Sequence, residues 1–188
     1  MATPEVRQRG RLTKHDYYDL PELGPRYQLI EGRMFMAPAP DRSHQHFSGN
    51  LEYQLRRYLE EHPIGLLYDA PFDVELNDVN VYQPDIVFVS HARSSIFTEH
   101  GAAGAPNLVI EILSPKTARF DLGLKREVYF ESGVEELWIV DPKKRELAIY
   151  LQGISTEAPA ATLRSGDTLT TRVLPGFVLP VDAIFAGL

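Results

Sequence analysis

The 188-residue sequence predicts an α/β fold in which a mixed (α+β) sheet carries helices on its faces. Two observations lead there. Residues 44–61 repeat apolar side chains at spacings of three and four, and a second helical stretch runs around Arg119 to Ser132. Between and after these lie runs rich in β-branched residues, "LLYDAPFDVEL", "VYQPDIVFV", "NLVIEIL" and then "VEELWIV". The core order is therefore helix, three strands, helix, strand. With 44% hydrophobic and 24% charged residues, the chain reads as one domain, residues 1–188. Residues 1–26 form an N-terminal extension, 27–152 the core and 153–188 C-terminal strands and a tail.

In "LTKHDYYDLPEL", Thr13 offers an N-cap for a short helix that Pro21 ends. "YQLIEGRMFMA" reads as two short strands around a Glu31-Gly32 turn. The first long helix runs from His44 to Glu61, with Phe47, Leu51, Leu55, Tyr58 and Leu59 on its apolar face, and stops at Pro63 and Gly65. "SHARSSIFTEHGAAGAP" is a long connection, of the kind that is often functional. Gly133 is placed to end the second helix. "RELAIYL" follows the turn "DPKK" as another strand, and "VLPGFVLPVDAIF" reads as an edge strand with a packing segment.

Composition excludes several chemistries. The chain has no cysteine, which rules out disulfides, thiolate metal sites and cysteine nucleophiles and fits a reducing compartment. The first thirty residues hold no signal-peptide core, and nothing approaches a membrane span of about 20 apolar residues. A cytoplasmic location and no membrane partner are expected. The net charge of −7 argues against a general attraction for nucleic acid, although a cation site needs clustered carboxylates whatever the total.

Two acids stand out because they interrupt apolar strands. The period of two along "VYQPDIVFV" puts Asp85 on the face of Gln83, Val87 and Val89, just after a proline that breaks ladder pairing. In "NLVIEIL", Glu111 shares a face with Val109 and Leu113, on a strand apolar on both faces and so expected to be central. A carboxylate buried there is protonated, paired with a cation such as Lys116, Arg119 or Lys125, or bound to a metal. On paired strands two such acids lie about 5 Å apart and repel unless a cation sits between them. Magnesium suits that role, since it takes one or two carboxylates and fills its shell with water and phosphate.

These residues resemble a known group. "QPD" followed by "IEILSP" is similar to the PD-(D/E)XK, restriction-endonuclease-like superfamily. "YQLIEGRMFMAP", "SHQHFSGNL", "QPDIVFV" and "LVIEILSPKTARFDLGLKREVYFESGVEELWIVDP" together resemble the Uma-type putative restriction endonuclease family over roughly residues 27–185. The resemblance implies a restriction-endonuclease-like core and Mg2+- or Mn2+-dependent hydrolysis of DNA phosphodiester bonds. Asp85 and Glu111 match the two acidic motif positions and would be metal ligands, joined by the backbone carbonyl of Ile112.

One departure is clear: the lysine expected two residues after Glu111 is Leu113. Lys116 or Lys125 would replace it. Lys125 is favoured because Asp121, Lys125 and Tyr129, spaced by four on one helical face, resemble the family's own block. An ordinary Asp121–Lys125 surface pair is the alternative. Glu31 resembles an acidic position in the first block and would support the metal shell, or be a turn glutamate in water. His44 would contact phosphate or metal, or be a structural histidine at a helix start. A zinc site from His44 and His46 lacks a third ligand.

A homodimer is expected, because two strands suit two active sites, with Tyr150, Leu151 and the tail as an edge contact. Other functions remain open: a nuclease fold that has lost catalysis and binds nucleic acid or protein, or a scaffold in which Asp85 and Glu111 are only salt-bridged. Glycoside hydrolysis also uses paired acids, but the sequence lacks the aromatic clustering of a sugar cleft.

Overall fold

The computed structural model describes residues 10–20, 26–37, 39–114, 123–154 and 157–188. Thr13 precedes helix α1 (Lys14–Tyr18), and the Asp16 carboxylate reaches back to the Thr13 amide at 2.7 Å. Strands β1 (Tyr27–Ile30) and β2 (Arg33–Met36) form the expected hairpin. Its turn residues Glu31 and Gly32 have φ of 50° and 73°, as a two-residue hairpin turn requires. Helix α2 (Arg42–Glu61) begins two residues before the apolar period does, because Asp41 caps it by accepting the His44 amide at 2.9 Å.

The next two apolar stretches each divide. "LLYDAPFDVEL" becomes β3 (Gly65–Asp69) and β4 (Asp73–Asn77), while "VYQPDIVFV" becomes β5 (Asn80–Tyr82) and β6 (Ile86–Ser90). The long connection contains a 3-10 turn (His91–Ile96) and β7 (Gly101–Ala103). Strand β8 (Leu108–Ile112), helix α3 (Leu124–Ser132) and strand β9 (Glu136–Asp141) make a parallel crossover unit, with Gly133 closing α3 at φ 101°. Strands β10 (Glu146–Leu151), β11 (Ala161–Leu163), β12 (Thr168–Thr170) and β13 (Val178–Pro180) follow, then the one-turn helix α4 (Val181–Ile184).

The fold is mixed α/β, but among the described residues the strands form two mixed sheets and a small hairpin rather than one sheet. The six-stranded sheet has the order β11-β10-β9-β8-β6-β3, the five-stranded sheet β2-β1-β5-β4-β7, and β12 pairs with β13. The stretch read as a single strand through Asp85 thus leaves one sheet at Tyr82 and enters the other at Ile86. Asp85 lies in the crossing, not on a strand face with Gln83 and Val87. Pro84 explains the break, since it brings no N–H to a ladder.

Alternation along β8 sorts the core. Leu108, Ile110 and Ile112 face Phe47, Leu51 and Leu55 of α2 together with the C-terminal Phe177 and Phe185. Val109 packs on the other side with Val128, Tyr129 and Phe130 of α3 and with Tyr82 and Val74 of the five-stranded sheet. Burial of β8 on both faces between β6 and β9 matches its expected central position. The edge contact proposed for Tyr150 and Leu151 is not supported: β10 runs between β9 and β11, and Tyr150 is 5% exposed within the core. No helix of the described residues is long and apolar enough to cross a membrane.

Candidate active site

The ends of β6 and β8 determine where the two acids meet. Ile86 pairs with Ile110 in antiparallel register, so continuing the ladder would set Asp85 beside Glu111 and Pro84 opposite Ile112. Pro84 has no N–H to donate to the Ile112 carbonyl. The Ile112 N–H is taken instead by the Asp85 side chain, whose Oδ2 accepts it at 2.7 Å. The Asp85 carbonyl accepts the Ala70 amide at 3.0 Å, and the Gln83 amide goes to Gln28 Oε1 at 3.2 Å. Where the chain crosses, the backbone bond to Ala70 extends the β3 side, side chains serve the Ile112 and Gln83 amides, and together these bonds fix the acid in place.

His44 stands on the first turn of α2 because Asp41 caps that turn. Its Nε2 lies 3.1 Å from Asp85 Oδ2. Burial lowers the imidazole pKa, but the hydrogen bond to Asp85 and the charges of Asp85, Asp41 and Glu111 outweigh it, so the net shift is upward. The protonated form is thereby favoured, and His44 feels both acids at once.

Glu111 projects to the face of β8 that α3 covers. Its Oε1 lies 2.5 Å from Lys125 Nζ and accepts the Tyr129 hydroxyl at 2.6 Å. Glu111 and Lys125 are 4% and 3% exposed. A pair so dry gains strong Coulomb attraction and loses the hydration of both ions, so its presence says little for stability and more for a built site. The separation of four residues along α3 puts Lys125 and Tyr129 on one face, as the sequence predicts.

His44, Asp85, Glu111, Ile112 and Lys125 line one cleft of about 360 Å³. Glu52 and Asp69 add two more carboxylates to its wall, and Arg56 bridges them at 2.6 and 3.2 Å. Arg26 contributes a further cation. Glu31 is not part of that wall; it sits in the β1–β2 turn, where its amide donates to Asn80 Oδ1 at 2.8 Å. Lys116 and Asp121 lie outside the described residues.

Sequence reasoning missed the residues that hold the site together. Tyr82, which the sequence reading does not single out, lies under Lys125, with the ammonium 5.6 Å from its ring centroid. Gln83, also on the cleft wall, is anchored by donating to Asp73 Oδ1 at 2.8 Å, an oxygen that also accepts the Tyr17 hydroxyl at 2.9 Å. Their position next to Pro84 and Asp85 was the available signal.

The profile of the Uma2 family, described as putative restriction endonuclease, matches residues 15–182. The chain belongs to the Uma2 family. Its structure is similar to that of a putative nuclease belonging to DUF820 from Anabaena variabilis ATCC 29413, with a TM-score of 0.77 and 19% identity over 93% of this chain and 97% of that one. At that identity the likeness establishes the fold. Among curated proteins, no relative matches the chain.

The donor set can be tested against the metal that the family resemblance implies. Among the described residues no three His, Cys, Asp or Glu side chains converge as a metal-ligating group. Asp85 and Glu111 supply two hard carboxylates on one cleft, and Pro84, opposite Ile112 in register, brings no N–H to its carbonyl. Magnesium needs no more protein than this, because water and substrate phosphate complete its octahedron. The residues fit magnesium or manganese and do not suit zinc, which prefers a fuller set of nitrogen and sulfur ligands.

Proposed function

We propose that this Uma2 protein is a Mg2+- or Mn2+-dependent endonuclease that hydrolyses DNA phosphodiester bonds from a restriction-endonuclease-like core. The observation that carries the reading is the convergence of Asp85, Glu111, His44 and Lys125 on one cleft at the strand ends. Asp85, Glu111 and the Ile112 carbonyl would hold the ion. When bound, it supplies Lewis-acid polarisation of the phosphoryl oxygen and a more acidic water.

The chain's own groups then have distinct tasks. Lys125 keeps a positive charge beside Glu111, available to stabilise the charge that develops on the phosphate oxygens. Tyr129 fixes the Glu111 carboxylate by donating to Oε1. His44 orients Asp85 and, while protonated, offsets part of its charge. A homodimer would present two such clefts to a duplex.

A second reading has specific support. Leu113 occupies the usual lysine position, the chain carries a net charge of −7, and Lys125 already neutralises Glu111. These favour a nuclease fold that binds nucleic acid or protein without cutting. A plasmid cleavage assay with a manganese titration separates the two, run on wild type, Asp85→Ala and Glu111→Ala. Metal-dependent nicking abolished by both substitutions supports the enzyme. DNA binding without cleavage in any metal supports the binding module.

A further inference from the structure

We infer that Tyr82 is a positioning residue for Lys125, holding the lysine ammonium at the cleft through the face of its ring. A lysine ammonium is a point charge on a flexible stem, without the directional fork of an arginine. The Glu111 carboxylate sets a distance but not a bearing. The Tyr82 ring supplies a directional reference: Lys125 Nζ lies 5.6 Å from its centroid, inside the range where a ring quadrupole attracts a cation.

The ring is itself fixed. Tyr82 is 0% exposed, and its hydroxyl donates to Asn80 Oδ1 at 2.8 Å. Asn80, also buried, accepts the Glu31 amide on the same oxygen and donates to Asn77 Oδ1 at 3.0 Å. The hairpin turn of β1–β2 and the end of β4 therefore brace the far end of the ring. It forms a T-shaped pair with the Tyr129 ring at 5.3 Å and 89°, and Tyr129 in turn holds Glu111. Burial pushes the phenol pKa up, so the ring remains neutral and its face keeps its attraction for a cation. Tyr82 also stands three residues before Asp85, so one short segment carries an acid and the support for the lysine.

The inference rests on the nuclease reading for its kinetic consequence alone, and its first test needs no activity. In isotope-labelled, metal-free protein, with Lys125 assigned through Lys125→Arg, its ε-methylene resonances should be ring-shifted and show NOEs to the Tyr82 ring. Tyr82→Phe should retain the shift and Tyr82→Leu should lose it. A Lys125 resonance unmoved in folded Tyr82→Leu overturns the inference. If that variant does not fold, the absence of Lys125–Tyr82 NOEs in wild type overturns it equally. In cleavage assays Tyr82→Leu should lower kcat about tenfold or more at unchanged KM, with Tyr82→Phe near wild type. Wild type without metal-dependent cleavage would refute the nuclease reading and leave the spectroscopic result to decide the role of Tyr82.

Discussion

The Asp85 carboxylate accepts the Ile112 amide at 2.7 Å, so one acid completes the hydrogen bonding of the strand that carries the other. Pro84 makes this necessary by withdrawing a ladder position, and the side chain that substitutes for it is thereby held at the end of β8. Structure and chemistry share a residue here, and substitutions can separate the two contributions.

Asp85→Ala should destabilise the fold by about 1–3 kcal/mol, because the Ile112 amide loses its acceptor at a buried strand end. Asp85→Asn keeps an acceptor and should cost less, while removing the charge that a metal needs. Urea unfolding of both variants measures this. Equal stability of Asp85→Ala and wild type would show that the hydrogen bond is not structural.

Lys125→Met should cost roughly 3–5 kcal/mol, since it strands a buried carboxylate. Combining it with Glu111→Gln should recover much of that loss, because neither ion then remains dry and unpaired. A double-mutant cycle reads the coupling directly. Additive losses would mean that Glu111 is stabilised chiefly by other groups.

The apolar face of α2, the Glu31-Gly32 hairpin, the stop at Gly133 and the central position of β8 were legible in the sequence, since each has a local physical cause. Period two also placed Glu111 on the Val109 face, where it meets α3. The same rule misplaced Asp85, because it assumes a continuous strand and the chain changes sheets at Gln83-Pro84-Asp85. The division of the strands into two sheets had no local signal, since pairing partners are chosen by long-range packing. Spacing brought Lys125 and Tyr129 to one face, but only coordinates show the Tyr82 ring beneath the ammonium.

His44 gives a pH-dependent term in the metal-free protein. Its folded-state pKa is raised above the ordinary 6.5, chiefly by Asp85 acting against burial. The stabilisation from this contact is therefore full below pH 6.5 and is lost as pH rises through the higher folded-state value. The difference in unfolding free energy between wild type and His44→Gln should shrink over that interval. A difference independent of pH would show that the imidazole is not held as a cation.

Glu136 provides a control at the start of β9, paired with Leu108 rather than with the end of β8 that carries Glu111 and Ile112. Burial raises its pKa above 4.5, although Trp138 Nε1 and Thr171 Oγ1 donate to it at 2.6 and 2.8 Å. Wild type should lose stability relative to Glu136→Gln as pH rises from 4.5 through the raised value, and then level off. Chemical denaturation across that range checks the sign. Wild type gaining on the variant with rising pH would contradict it.

If Asp85 and Glu111 share a divalent cation, as proposed, calorimetric titration with magnesium will detect it. Wild type should bind magnesium saturably at one site per chain, and both Asp85→Asn and Glu111→Gln should abolish that binding while remaining folded. Absence of magnesium and manganese binding in wild type, or binding unchanged in either variant, would mean that the two acids hold no shared ion and serve their contacts with His44, Ile112, Lys125 and Tyr129 instead.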